Sequence, residues 1–302
     1  MAVVELRAAT RGSPLALWQV EHVTALLAPH GVTVTPVVVE TAGDQQLDRP
    51  IWEIGGKGVF VKEVQAAVLD GRADIAVHSA KDLPSVEVDG LALAGVPERG
   101  EPRDALVGST LADLPTGALV ATGSVRRRAQ LAWLRPDLTF TGLRGNIATR
   151  LAKAEGFAAI VMAAAALERL GMPERADEVL EPDVMLPQVG QGTLAIEARA
   201  DDESALEALA LIEHGPSRVA LEAERGFLAE LGGDCDLPAG AYAVLDDDPD
   251  GPVLRVEALL ASLDGHVVLR ESAVGPATDA AGVGHALARR LLDDHGGAAL
   301  LP

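Results

Sequence analysis

Cysteine, aromatic side chains and long apolar runs are all scarce in this 302-residue chain, and each scarcity removes a class of protein. The single cysteine, Cys235, excludes an internal disulfide and makes a cysteine-based metal cluster implausible, so a reducing cytoplasm is expected. Four Phe, three Trp and one Tyr leave few rings for any stacking site. No stretch is apolar for the length that a bilayer span requires, so no membrane partner is expected. Met1 to Thr10 carries Glu5 and Arg7 without an apolar run, so no signal peptide is expected. The seven histidines include no pair at metal-ligand spacing, which predicts no metal. Gly55-Gly-Lys-Gly58 lacks the spacing and the following Ser or Thr of a phosphate loop and reads as a hinge or lid.

What the chain has in excess is negative charge, a formal −20, unevenly placed. Between Arg126 and Lys153 seven basic residues face one acid, Asp137, whereas from Asp201 onward twenty acids face six arginines. Such a basic island can focus field on a small anion, while the overall charge repels a nucleic-acid backbone, so no nucleic-acid partner is expected.

Strand-like and helix-like runs alternate through the first two thirds. Val3–Ala8 reads as a strand, Ser13–Ala28 as a helix capped by Ser13 with Pro14 at its first position, and Val32–Val39 as a β-branched strand. After the long Thr41–Gly58 loop come a helix over Val59–Leu69 and a buried strand over Asp74–Val77. Beyond the breaker-rich Gly95–Arg103 the grammar restarts: strands at Leu119–Ala121, Leu138–Phe140 and Ala158–Met162 alternate with helices at Ser124–Leu134, Asn146–Ala154 and Ala163–Leu170. Ala9–Ser13 and Ala121–Ser124 occupy equivalent strand-to-helix junctions, which makes two similar α/β units plausible. After His214-Gly-Pro-Ser217, a helix over Arg218–Leu231, three strands and a final helix predict a small α+β domain.

Three places carry chemistry. Arg126, Arg127 and Arg128 fall in the first turn of a helix capped by Ser124, where cations oppose the helix dipole. A bound carboxylate would reverse that penalty. Pairing with distant acids, or splaying into solvent, explains the arginines equally well. Arg11 beside Ser13 repeats the pattern and tips the reading toward anion binding, and Arg144-Gly-Asn-Ile-Ala-Thr-Arg150 extends a basic rim. His78-Ser-Ala-Lys81-Asp82 follows a strand, where carboxyl-end loops form ligand crevices; Asp82 could stabilise a developing cation while Lys81 holds an acid group. Cys235, flanked by Asp234 and Asp236, lies where a thiolate is disfavoured.

Eight stretches in order resemble the hydroxymethylbilane synthase (porphobilinogen deaminase) family. They begin with Ala9-Thr-Arg-Gly-Ser-Pro-Leu-Ala-Leu-Trp-Gln19, Gly55-Gly-Lys-Gly-Val-Phe-Val-Lys-Glu63 and His78-Ser-Ala-Lys-Asp-Leu-Pro84. Thr122-Gly-Ser-Val-Arg-Arg127, Leu143-Arg-Gly-Asn-Ile-Ala-Thr-Arg-Leu151 and Ala166-Leu-Glu-Arg-Leu-Gly171 follow. Pro187-Gln-Val-Gly-Gln-Gly192 and Cys235-Asp-Leu-Pro-Ala-Gly-Ala-Tyr242 complete the set. The resemblance implies two α/β domains like type II periplasmic binding proteins plus a small α+β domain, with bounds 1–97 with 194–212, 102–190 and 216–302. It implies a monomeric transferase that joins four porphobilinogen molecules into hydroxymethylbilane, primed on a dipyrromethane cofactor bound through a thioether to Cys235.

By the same resemblance Asp82 is the catalytic carboxylate. Lys81, Thr122, Ser124, Arg126, Arg127, Arg144 and Arg150 hold the cofactor side, and Arg11, Ser13, Gln19, Phe60 and Arg169 the substrate side. The sequence departs from the family at Ala80, usually methionine, at Gly123, often serine, and at Asp234, commonly glycine. A non-enzymatic anion-binding module and a phosphate-handling transferase built on Arg126–Arg128 are the alternatives.

Overall fold

A computed structural model describes residues 4–41, 61–232, 237–248 and 251–301. The chain divides into two compact units, Met1–Arg99 with Thr193–Arg218, and Gly100–Gly192 with Val219–Pro302.

The first unit is a five-stranded sheet in the order β2-β1-β3-β10-β4. Its strands are β1 (Val4–Thr10), β2 (Val32–Val38), β3 (Ile75–Ser79), β4 (Leu91–Gly95) and β10 (Leu194–Arg199). β1 runs parallel to β2 and β3, and β10 lies antiparallel to both β3 and β4. Helix α1 (Pro14–Leu27) starts as its sequence dictates, with the Ser13 hydroxyl accepting from the Ala16 amide and proline in the first turn. Its expected stripe, Ala16, Val20, Val23 and Leu27, is buried, and the last three join Leu6, Ile75 and Ile196 in one core. Helix α2 (Lys62–Leu69) packs Val64, Ala67 and Val68 against Ala9 and Ala76, in a second core.

The strand expected over Asp74–Val77 is displaced by one residue at its start and two at its end. Asp74 is withheld because its carboxylate accepts from the Arg7 amide and guanidinium, at 2.8 and 3.0 Å on one oxygen and 2.8 Å on the other. His78, expected just beyond the strand, lies within it, paired with Ala195 and buried.

The second unit holds a five-stranded sheet, β7-β6-β8-β5-β9, and a three-stranded antiparallel sheet, β11-β12-β13. The larger sheet comprises β5 (Asp104–Val107), β6 (Leu119–Ala121), β7 (Thr139–Thr141), β8 (Ala159–Ala163) and β9 (Glu178–Leu180). β6 is parallel to β7 and β8, while β5 is antiparallel to β8 and β9. Strand for strand this repeats the first unit, with β6 in the place of β1 and β5 in the place of β10. Helices α3 (Val125–Leu134), α4 (Ile147–Lys153) and α5 (Ala164–Arg169) connect the strands.

The small sheet is built from β11 (Ala239–Asp248), β12 (Gly251–Ala261) and β13 (Val268–Pro276). Phe227 of α7 (Gly215–Glu230) and Leu287 of α8 (Ala280–Arg289) share a core with Leu254 and Val256. The two helices touch backbone to backbone. A Cβ on Gly284 would lie 2.0 Å from the Ala223 carbonyl, and one on Gly226 would lie 2.4 Å from the Ala281 carbonyl. Helix α6 (Glu203–Ala210) completes the first unit, its Asp202 carboxylate capping the Ala205 amide. Among the described residues no helix is long and apolar enough to cross a membrane, and no group of three or more His, Cys, Asp or Glu could hold a metal ion.

Candidate functional site

In the first unit Lys81 and Asp82 lie where β3 ends. The chain turns through a single 3-10 turn, Ala80–Asp82, closed by the Leu83 amide donating to the Ala80 carbonyl at 3.2 Å. Ala80 and Leu83 are buried while Asp82 is exposed, so two aliphatic anchors present the carboxylate outward. The Ala80 amide donates to the Thr193 carbonyl at 3.0 Å, tying the turn to the chain entering β10. Gln19, buried on α1, donates from Nε2 to the Ser79 hydroxyl at 2.7 Å. Beneath them Gln65 Nε2 donates to both oxygens of buried Glu197, at 3.0 and 2.9 Å, and His78 Nε2 lies 3.1 Å from the same carboxylate. Ser13 is committed to capping α1. Gln19 thus braces the turn that carries Asp82.

In the second unit the β6–α3 junction is the equivalent place. Ser124 accepts from the Arg127 amide and caps α3. The Thr122 hydroxyl accepts from the Ser124 amide at 3.2 Å, and the Thr122 amide donates to the Thr141 carbonyl at 2.9 Å. Gly123 is required by packing: a Cβ there would meet the Leu143 carbonyl at 2.8 Å. This close approach seats the β7–α4 turn, with Arg144, against the β6–α3 turn.

Arg126 and Arg127 turn inward, away from solvent. Both are buried, and both reach Asp104 at the start of β5, itself fully buried. Arg126 Nη2 donates to one carboxylate oxygen at 2.7 Å and Arg127 Nε to the other at 2.9 Å. Burial pushes the Asp104 carboxyl up, but the charges of Arg126 and Arg127 outweigh it, together with a hydrogen bond from Gln191, and hold it at about 2. Burial lowers the pKa of Arg126 despite that carboxylate. Of the two explanations open for these arginines, pairing with a distant acid therefore holds for Arg126 and Arg127. Arg128 is the exposed member, donating to the Leu263 carbonyl at 2.8 Å.

Arg144 differs. Its Nη1 is buried and has no hydrogen-bond partner among the described residues. The turn around it is nonetheless well built: Asn146 caps α4 by accepting from Thr149, and Arg150 Nε donates to the Gly145 carbonyl at 2.7 Å. Gly145 has φ +117°, and a Cβ there would fall 2.6 Å from Thr149, so only glycine permits this turn. Arg169 donates to the Gly192 carbonyl at 2.6 Å, and burial lowers its pKa to about 10, which leaves it charged near neutrality.

Within each unit the expected residues lie on neighbouring turns: Gln19 bonds Ser79, next to the Lys81–Asp82 turn, in one; in the other, Thr122, Ser124, Arg126 and Arg127 lie at the β6–α3 turn and Arg144 and Arg150 at the β7–α4 turn. Arg11 lies at the β1–α1 junction. Phe60, Cys235 and most of the Thr41–Gly58 loop lie outside the described residues. Asp104, Gln191 and Glu197 were missed by sequence reasoning; the one signal for Asp104 was an acid opening the apolar run Ala105–Val107 directly after Arg103.

Two five-stranded α/β sheets of one topology, followed by a small antiparallel sheet, define the class of fold. Family comparison narrows the class. The family model for "Porphobilinogen deaminase, dipyromethane cofactor binding domain" matches residues 6–207, and that for the "Porphobilinogen deaminase, C-terminal domain" matches residues 219–293. A porphobilinogen deaminase of Roseiflexus castenholzii (strain DSM 13941 / HLO8) is 51% identical over 299 residues, covering 97% of each chain. One from Nitratidesulfovibrio vulgaris (strain DSM 19637 / Miyazaki F) is 48% identical over 300 residues, covering 96% of this chain and 94% of the relative. Among solved structures, a TRAP periplasmic solute binding protein from Desulfovibrio salexigens with bound orotic acid covers 75% of this chain and 82% of its own, at 13% identity and a TM-score of 0.38. The chain belongs to the porphobilinogen deaminase family, and it carries that family's dipyrromethane cofactor-binding domain.

Proposed function

We propose that this chain removes ammonia from four porphobilinogen molecules and joins them head to tail into hydroxymethylbilane, primed on a dipyrromethane attached through a thioether to Cys235. The observation that carries the assignment of the guanidinium shelf is Arg144 Nη1, a buried donor with no acceptor among the described residues. An unmade hydrogen bond at a buried charged group costs roughly 1–3 kcal/mol or more, so such a group argues for an acceptor from outside. Pyrroles of this substrate each carry an acetate and a propionate, acceptors of the right charge and shape for guanidinium forks. When bound, the cofactor supplies the pyrrole terminus from which the chain grows.

The residues that would hold its acid arms are Arg144, Arg150, Lys81 and the Arg126–Arg127 pair, with Thr122 and Ser124 shaping the turn. Arg11, Ser13, Gln19, Phe60 and Arg169 belong to the substrate side. Asp82, exposed on its short turn, accepts hydrogen bonds from pyrrole N–H groups through its carboxylate oxygens. Its negative charge favours the positive charge that develops on porphobilinogen as the C–N bond breaks and ammonia departs. As the new C–C bond forms, an Asp82 oxygen takes up the proton lost from the pyrrole ring carbon. Three domains, 1–97 with 194–212, 102–190 and 216–302, a monomeric state and a cytoplasmic location complete the proposal.

Incubation of the purified chain with porphobilinogen, followed by intact-mass measurement and oxidation of the products, tests it. A dipyrromethane adduct on Cys235 and uroporphyrin in the oxidised mixture are expected. An unmodified Cys235 in protein that is making product would sink it.

A further inference from the structure

We propose that Asp104 is a positioning residue that sets the charge of the carboxylate shelf. It compensates one of two buried guanidinium groups and leaves a surplus of one positive charge for an acid arm of the cofactor to neutralise. The proposal rests on the reading that Arg126 and Arg127 face carboxylates. Its basis is a count of charges and hydrogen bonds within one buried cluster of the second unit.

Asp104 is fully buried, Arg126 is 2% exposed and Arg127 is 6% exposed. The three carry two positive charges and one negative. Each oxygen of Asp104 is taken, one by Arg126 Nη2 and the other by Arg127 Nε together with Gln191 Nε2 at 2.8 Å. Gln191 also donates to the Pro102 carbonyl at 2.7 Å and accepts from Arg127 Nη2 at 3.3 Å. Asp104 itself is clamped by backbone pairing to Ala163 on β8 and Leu180 on β9. The carboxylate is therefore fixed in place, and both forks are aligned on it before any ligand arrives, which cuts the ordering cost of binding.

The cluster is nevertheless incomplete. Arg126 Nε is buried without a partner among the described residues, and the surplus charge has no counter-ion within the cluster. A cluster fully neutralised within the chain would resist an incoming carboxylate, and two arginines with no acid would be too costly to bury. Asp104 holds the shelf between those extremes.

The test uses protein made in cells lacking porphobilinogen, compared before and after loading with porphobilinogen, with intact mass reporting the adduct and Tm reporting stability. In Asp104→Asn the surplus rises to two charges, so the unloaded protein loses far more Tm than the loaded one, and the gain on loading grows about twofold or more over wild type. The double variant Asp104→Asn/Arg126→Met restores a surplus of one; it folds, and its gain on loading returns to the wild-type value. Equal losses of Tm in loaded and unloaded Asp104→Asn assign the residue a purely structural role and overturn the proposal. So does a double variant that fails to fold or keeps the enlarged gain, which covers the case in which Asp104→Asn alone cannot be purified. Wild-type protein that takes up no adduct overturns the functional reading beneath the proposal, and the proposal with it.

Discussion

Gln65 uses its single side-chain nitrogen to reach both oxygens of Glu197, at 3.0 and 2.9 Å, in the buried layer beneath the Asp82 turn. Replacing Gln65 by Leu keeps much of the volume but removes both hydrogen bonds that its Nε2 makes to that carboxylate. A buried acceptor deprived of its donor costs about 1–3 kcal/mol. The Gln65→Leu variant should therefore unfold at a lower urea concentration than wild type, and an unchanged midpoint would show that the pair contributes nothing.

The contact between α7 and α8 makes a sharper stability prediction. A methyl group on Gly284 would sit 2.0 Å from the Ala223 carbonyl and 2.7 Å from the Phe227 amide, both backbone atoms that cannot rotate away. Gly284→Ala should force the helices apart and cost about 1–3 kcal/mol, as overpacking does elsewhere. Thermal unfolding followed by circular dichroism reads the loss directly; a variant as stable as wild type contradicts the packing described.

Asp104 predicts an acid limit. Folding lowers its carboxyl from the ordinary 3.8 to about 2, so its contribution is fully present above the ordinary value and disappears as pH falls through about 2. Stability measured between about pH 4 and pH 2 should fall in wild type. In Asp104→Asn the part of that slope due to this group should be missing, and identical slopes in the two proteins would contradict it.

Arg144 and Asp82 should separate binding from chemistry. Arg144→Gln removes a guanidinium whose Nη1 has no partner among the described residues, so folding should be little changed while the fraction of chain carrying an adduct falls, by about tenfold for an effect near 1.4 kcal/mol. Asp82→Ala alters an exposed side chain. It should leave Tm and the adduct in place but abolish tetrapyrrole formation. Normal turnover refutes the role of Asp82, and normal loading refutes that of Arg144.

The parts legible in the sequence are those governed by neighbours in the chain. Ser13 and Ser124 cap helices where the local pattern puts them, because each needs only an amide three residues on. The kinship of the Ala9–Ser13 and Ala121–Ser124 junctions holds as well, since both follow the central parallel strand of sheets with one topology. The partner of Arg126 and Arg127 was not legible. Asp104 lies more than twenty residues upstream, on a strand that reaches them only through its antiparallel pairing with β8. β4, with the sequence Leu-Ala-Leu-Ala-Gly, is hard to read as a strand, since alanine and glycine carry little strand preference. It takes that form because β10 supplies its hydrogen bonds.

The position of β10 has a consequence for how the chain comes off the ribosome. The strand lies between β3 and β4, yet nearly a hundred residues, including a complete second sheet, are synthesised before it. Until Leu194–Arg199 emerges, β3 and β4 each keep a bare edge, the kind of surface that recruits stray strands. The amino-terminal third is thus made first and finished late, and any truncation ahead of Leu194 leaves it permanently open.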